Sequence, residues 1–323
     1  MKKSLVFKGL AILAVVGAGV FAVLNFQTIS DTLAGFSYAP SSEMATVRSS
    51  LELSSDGERI FAASHPTLEA QDSFNEICDS HVDETSVLGC YTERKIYIYN
   101  IESEELKGIK ESTTAHELLH AVWARLSEGE KNRIGELLEG VYQDSRYHET
   151  LEKDLKTYSD SERKDELHSR VGTEIKELPE DLEKHYTKYF KDQDKVVEFY
   201  QSYVKPFETL KKQIETLAET LEKTKAQIDV KTSDYKTRAE ALNTAISEFN
   251  DCAGTLNCFT DRAGFNARRS ELITEQTAVN NLYTEIDALV KDYNNKVKEY
   301  NENVLKNKDL ENVINSNAKV NNL

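Results

Sequence analysis

The chain has 323 residues, 30% of them charged, with only four prolines and 13 glycines. That is length for one or two domains with real cores, and the scarcity of helix breakers favours long helices. A net charge of −16 argues against a nucleic-acid partner, which needs a basic face, and against broad attraction to anionic lipid.

The chain opens on an uncharged run, Gly9 to Phe26, preceded by Lys2, Lys3 and Lys8, with no further basic residue before Arg48. Its 18 residues approach the roughly 20 that span a bilayer and exceed the usual apolar core of a cleavable signal peptide. The expectation is a transmembrane signal anchor over 1–26 with the N-terminus inside, by the positive-inside rule; a cleaved signal peptide is the alternative. In both cases the remainder lies outside the membrane. Four cysteines in two local couples, Cys78 with Cys90 and Cys252 with Cys258, suit disulfides in an oxidising compartment.

Residues 27–45, rich in Ser, Thr and Ala, read as a linker, and 46–205 as a mixed globular domain. Helical spacing over 58–78 is interrupted by Pro66. The stretch LGCYTERKIYIYNI reads as a strand, with Ile96 and Ile98 alternating with Tyr97 and Tyr99. Ser112 or Thr113 caps a helix running to about Arg125. Ser127 with Glu130, and Ser159 with Glu162, have capping-box spacing, and Gly172 is a plausible helix stop. Pro179 opens a further helix. Beyond 206, Ile214, Leu221, Ile228, Tyr235, Leu242 and Phe249 recur every seventh residue, as do Phe265, Leu272, Val279, Ile286, Tyr293 and Tyr300. Two heptad runs around a Gly-containing loop predict an antiparallel coiled-coil hairpin over 206–304, with arms of roughly 40 residues, or about 60 Å. A flexible tail, 305–323, follows. The fold class is thus mainly α (α+β): a small helical domain with a short sheet, then the hairpin.

Chemistry concentrates in STTAHELLHAVW. Residues four apart share a helix face, so His116 and His120 can offer two imidazole nitrogens to one metal ion. Glu117, next to the first, can reach a water that the metal acidifies. Its uncharged flanks, Thr113 to Ala115 and Leu118 to Val122, suit a buried metal helix. On this motif the chain resembles the gluzincin metallopeptidases. The resemblance covers the motif helix well and 90–190 loosely, and does not extend to the coiled coil. It implies a zincin-like domain, Zn2+ as cofactor, a protein or peptide substrate, and a third ligand, a glutamate, from a later helix. The metzincin extension is missing, since A-V-W-A-R-L-S-E-G follows His120, and so is the thermolysin-like N-E-x-x-S-D signature, which leaves the subfamily open. Glu166, in the capped helix SERKDELHSRVG, is the first choice for the third ligand; Glu174 is the alternative, with Asp165 or His168 behind it. His168, His185, Tyr186 and Tyr189 are candidates for stabilising an oxyanion. His65, His81 and His148 have no partner spacing and read as structural.

The expected activity is therefore zinc-dependent peptide hydrolysis outside the membrane, with Glu117 as the base. The competing reading is a non-catalytic cell-envelope interaction protein that works through the coiled coil, by partner binding or self-association, with a structural or degenerate zinc site.

Overall fold

The computed structural model describes residues 25–78, 87–155, 158–256 and 258–316. The protein is mainly helical, with a three-stranded sheet and a long helical hairpin. The chain divides into two compact units, Met1–Pro206 with Leu310–Leu323, and Phe207–Asp309. The uncharged run expected to be the anchor lies outside the described residues except for Asn25 and Phe26, and so does His81. Among the described residues no helix is long and apolar enough to cross a membrane.

The first unit begins with α1 (Phe26–Gly35), α2 (Ser42–Ser50) and α3 (Ser55–Ala63). The linker reading of 27–45 is corrected here. Ser41 caps α2 by accepting from the Met44 N–H at 3.1 Å, and Met44 is fully buried. In α1, Asp31 is 1% exposed. Its carboxylate accepts from Arg125 Nε at 3.0 and 3.1 Å, Arg59 Nη1 at 3.1 Å and Arg94 Nη2 at 3.4 Å. A short Ser/Thr-rich helix with one apolar face looks unstructured in sequence, because its buried face is held by one carboxylate and cations far along the chain.

Pro66 ends the helical stretch and β1 (Thr67–Glu69) follows, then α4 (Gln71–Cys78). The single strand expected over LGCYTERKIYIYNI is two, β2 (Gly89–Thr92) and β3 (Lys95–Tyr99), paired antiparallel with Gly89 opposite Ile98 and Thr92 opposite Lys95. Glu93 and Arg94, with φ of 49° and 64°, make the two-residue turn. Positive φ at both central positions is the tight-hairpin conformation, normally signalled by Asn-Gly. Two charged residues carry it here, which hides the turn in the sequence. Sheet order is β1-β3-β2, so β2 is an edge strand. Ile96 and Ile98 are buried, as their alternation predicts. A disulfide joins Cys78 at the end of α4 to Cys90 in β2.

Next come α5 (Ile109–Trp123), α6 (Glu128–Tyr142), α7 (His148–Leu155), α8 (Asp160–Glu174) and α9 (Glu180–Tyr186). α5 starts three residues before the expected cap. Its N-cap is Gly108 at φ 92°, where the left-handed backbone and the nearby Phe199 carbonyl (2.6 Å from a would-be Cβ) leave no room for a side chain. Both capping boxes form, at Ser127–Glu130 and Ser159–Glu162. Gly172 does not stop α8 but lies inside it. A Cβ there would sit 2.5 Å from Leu119 Cδ1 and from Tyr186 Cε1, so this glycine lets α8 pack closely on α5. The core of the unit, with Phe61, Ile96, Leu118, Leu119, Ile134, Val171 and Tyr186 among its members, closes around these helices and the sheet.

α10 (Gln193–Ala253) runs through Pro206 without ending, and α11 (Arg262–Ile314) returns. These helices, 61 and 53 residues long, exceed the arms of about 40 expected from heptad spacing alone. Within the second unit every named heptad position is buried or half-buried. Leu242 and Val279 are the most buried of them, and Arg238 reaches Glu275 across the arms at 2.8 and 3.1 Å. Phe249, Phe259 and Phe265 cluster at the tip beside the Cys252–Cys258 disulfide. The described part of the tail, residues 305–316, is structured rather than flexible. α11 continues to Ile314, Leu310 is buried, and the Ser316 carbonyl accepts from Gln71 Nε2 at 2.7 Å and Asn75 Nδ2 at 2.6 Å.

Candidate metal centre

α5 and α8 together build the site. Because α5 is helical through HELLH, the imidazoles of His116 and His120 leave the same face, and their Nε2 atoms are 3.1 Å apart. α8 brings Glu166 opposite them, with one carboxylate oxygen 3.6 Å from His116 Nε2 and the other 3.4 Å from His120 Nε2. One ligand atom from each of the three residues lies within 4.8 Å of the others, and the group can hold a metal ion. The spacing fits the donor set. Ligands about 2.0–2.1 Å from a tetrahedral zinc stand about 3.3 Å from one another, close to the observed separations.

Behind the ligands, His120 Nδ1 donates to Asp165 Oδ1 at 2.8 Å. That bond fixes the tautomer with Nε2 toward the metal position and makes the ring a better donor. Asp165 had ranked low as a third ligand in the sequence; it orients a ligand instead. Glu174, the alternative ligand, lines the smaller of the two cavities at the site but is not in the ligand group: it accepts from Arg170 Nε at 2.9 Å and Nη2 at 3.1 Å.

Glu117 is 6% exposed and sits under β2. A Cβ on Gly89 would lie 2.8 Å from Glu117 Cγ and from Thr113 Cγ2, so the edge strand crosses directly over the glutamate. Burial pushes the Glu117 carboxyl up, against the pull of His120 and His116. The ligand side chains also shift one another. Burial would lower His120, but its bonds to Asp165 and Glu166 raise it well above the ordinary imidazole value. His116 is raised the same way by Glu166, against burial. Burial would raise Glu166, and the two imidazoles hold it well below the carboxylate range.

Two cavities meet at this group. One, of about 230 Å³, is lined by Tyr91, Tyr158, Glu162 and Asp165; the other, of about 160 Å³, by Leu88, Thr113, Tyr200 and Tyr203. Val87, Gly89, His116, Glu117 and Glu166 line both. Tyr158 lines the first cavity with Tyr91 and is not singled out by the sequence; a lone tyrosine in a loop before a capped helix carries no pattern.

The four residues considered for oxyanion stabilisation are elsewhere. His168 is fully buried, its Nε2 is 2.8 Å from His185 Nε2, and its carbonyl accepts from Tyr186 Oη at 2.8 Å. Tyr189 packs edge-on against His185. None of them lines either cavity. Burial keeps both histidines neutral: His168 is pushed well below the ordinary value, and His185 down to about 4. His65 donates to the Ala34 carbonyl and His148 to that of Tyr142, at 2.8 and 2.9 Å, away from the site.

Comparisons with protein-family models, with curated proteins and with solved structures found no match.

Proposed function

We propose that the protein is a zinc-dependent peptidase of the gluzincin kind, held at a membrane by residues 1–26 with its metal centre outside. One observation carries the reading: His116, His120 and Glu166 converge on a point that the buried Glu117 also faces, in a cleft open on two sides and bordered by an edge strand. The described residues supply three ligands, the number of a catalytic zinc site, which keeps a fourth position for water; structural sites are closed by four. All four cysteines are tied in disulfides, so no thiolate is free to close it.

A zinc ion held there lowers the pKa of water toward neutrality and polarises a carbonyl. With zinc held by His116, His120 and Glu166, Glu117 would be the group to take the proton from that water and return it to the departing amine. The outer edge of β2, unpaired among the described residues, can pair with an extended peptide, laying its backbone across the ligand set with side chains entering the two flanking cavities. Tyr91 and Tyr158, both in the wall of the larger cavity, are the phenols we assign to donate to an oxyanion there.

Glu117→Gln tests this directly. It preserves shape and the three ligands, so zinc content by elemental analysis stays at about one per chain, while hydrolysis of casein and of quenched-fluorescent peptide pools disappears. Unchanged hydrolysis in the variant would remove Glu117 from the mechanism.

A further inference from the structure

One apolar surface of the first unit is unexplained by the metal centre. On α1, Phe26, Ile29, Leu33 and Phe36 at its C-cap are 72%, 39%, 71% and 90% exposed. Their spacing of three, four and three places all four on one face. Asp31 lies about 180° away at 3.6 residues per turn, turned into the protein and held by Arg125, Arg59 and Arg94. The helix is therefore fastened by one side while it offers two phenylalanines, a leucine and an isoleucine on the other. Large apolar residues gathered into a single exposed patch mark an interaction site, whereas scattered ones do not. The patch begins at Phe26, where the 18-residue uncharged run of Gly9 to Phe26 ends.

We infer that the occupant of this face is the lipid bilayer itself: α1 lies on the membrane surface, with Phe26, Ile29, Leu33 and Phe36 immersed in the interface. The inference rests on the anchoring of residues 1–26 proposed above. A chain leaving a bilayer at residue 26 brings the adjoining stripe to the lipid surface with no linker to span. The contact is apolar rather than electrostatic, consistent with a net charge of −16. Because Asp31 and Arg125 fasten α1 to the unit, and Arg125 Nη1 donates to Tyr91 Oη at 3.0 Å in the cleft wall, immersion of the stripe fixes the distance of the cleft from the membrane. Its peptide substrates would then be segments that emerge close to the bilayer.

The test uses the full chain in phosphatidylcholine vesicles. An environment-sensitive fluorophore is placed on one added cysteine, in Leu33→Cys, Phe36→Cys or Thr28→Cys, the last exposed on α1 but off the stripe. Flotation after a carbonate wash reports the anchor, and quenching by lipids spin-labelled near the headgroup reports the stripe. The expected result is flotation of all three, with several-fold stronger quenching at positions 33 and 36 than at 28, and unfolding midpoints matching wild type. Flotation with no quenching at 33 and 36 overturns the surface contact and leaves the anchor standing. A blue-shifted label that the lipids do not quench shows the stripe covered by protein and also overturns it. Failure to float removes the anchor, and the inference with it.

Discussion

Gly89 is where the edge strand and the proposed base share space, and Gly89→Ala tests that contact. The added Cβ would stand 2.8 Å from Glu117 Cγ, 2.8 Å from Thr113 Cγ2 and 2.9 Å from Glu117 Oε1. Carbon atoms settle at about 3.5–4.0 Å, so roughly 1 Å must be found. The strand resists moving: Gly89 is paired with Ile98 on one side, and the next residue, Cys90, is bridged to Cys78. Glu117 must yield most of it. Overpacking of this size costs about 1–3 kcal/mol, and a misplacement of about 1 Å in a catalytic group costs on the order of 10²-fold in rate. The three nearest atoms belong to Glu117 and Thr113, and none to the ligands His116, His120 or Glu166. We therefore expect a lowered unfolding midpoint, zinc content near wild type, and turnover of the quenched-fluorescent peptides reduced about 100-fold. Gly→Ala without a clash would raise stability by about 0.4–1 kcal/mol. A stabilised variant with full turnover would show that β2 does not press on Glu117, and would refute the packing on which the assignment depends.

Asp165→Asn should weaken zinc binding about 10- to 100-fold by competition with a chelator, because the His120 Nδ1–H then meets a weaker acceptor; unchanged affinity would remove Asp165 from the site. The buried pair His168 and His185 makes the fold acid-sensitive. Both are depressed in the folded protein, so the unfolded chain takes up more protons below its own imidazole value of about 6.5. Stability is full above that pH and is lost as pH falls toward the His185 value of about 4, by about 3 kcal/mol at most for His185. Urea midpoints measured across that range check it, and a flat profile counts against a neutral pair. Asp31→Ala strands the Arg125 guanidinium, 5% exposed in its side chain, without its carboxylate. A loss of roughly 3–5 kcal/mol is expected in urea unfolding; a loss under about 1 kcal/mol would mark a surface pair instead.

Sequence alone determined what depends on neighbours a few positions apart. The helix spacing that puts His116 and His120 on one face, the two capping boxes, both local disulfides and the heptads facing inward in the hairpin follow from periods and short separations that any helix or short loop enforces. Long-range coincidences required the tertiary structure. Asp165 orients His120 from 45 residues away, and no local signal separates its role from that of Glu166 or Glu174, three carboxylates on one helix. The Glu93–Arg94 turn splits a stretch whose alternation reads as one strand, because tertiary pairing imposes positive φ on residues that do not advertise it. Gly172 reads as a helix stop but serves as a gap for Leu119 and Tyr186, since a glycine is equally apt for chain reversal and for close approach. Residues 27–45 read as linker, because a helix held by one buried carboxylate against Arg59, Arg94 and Arg125 leaves almost no trace in its own composition.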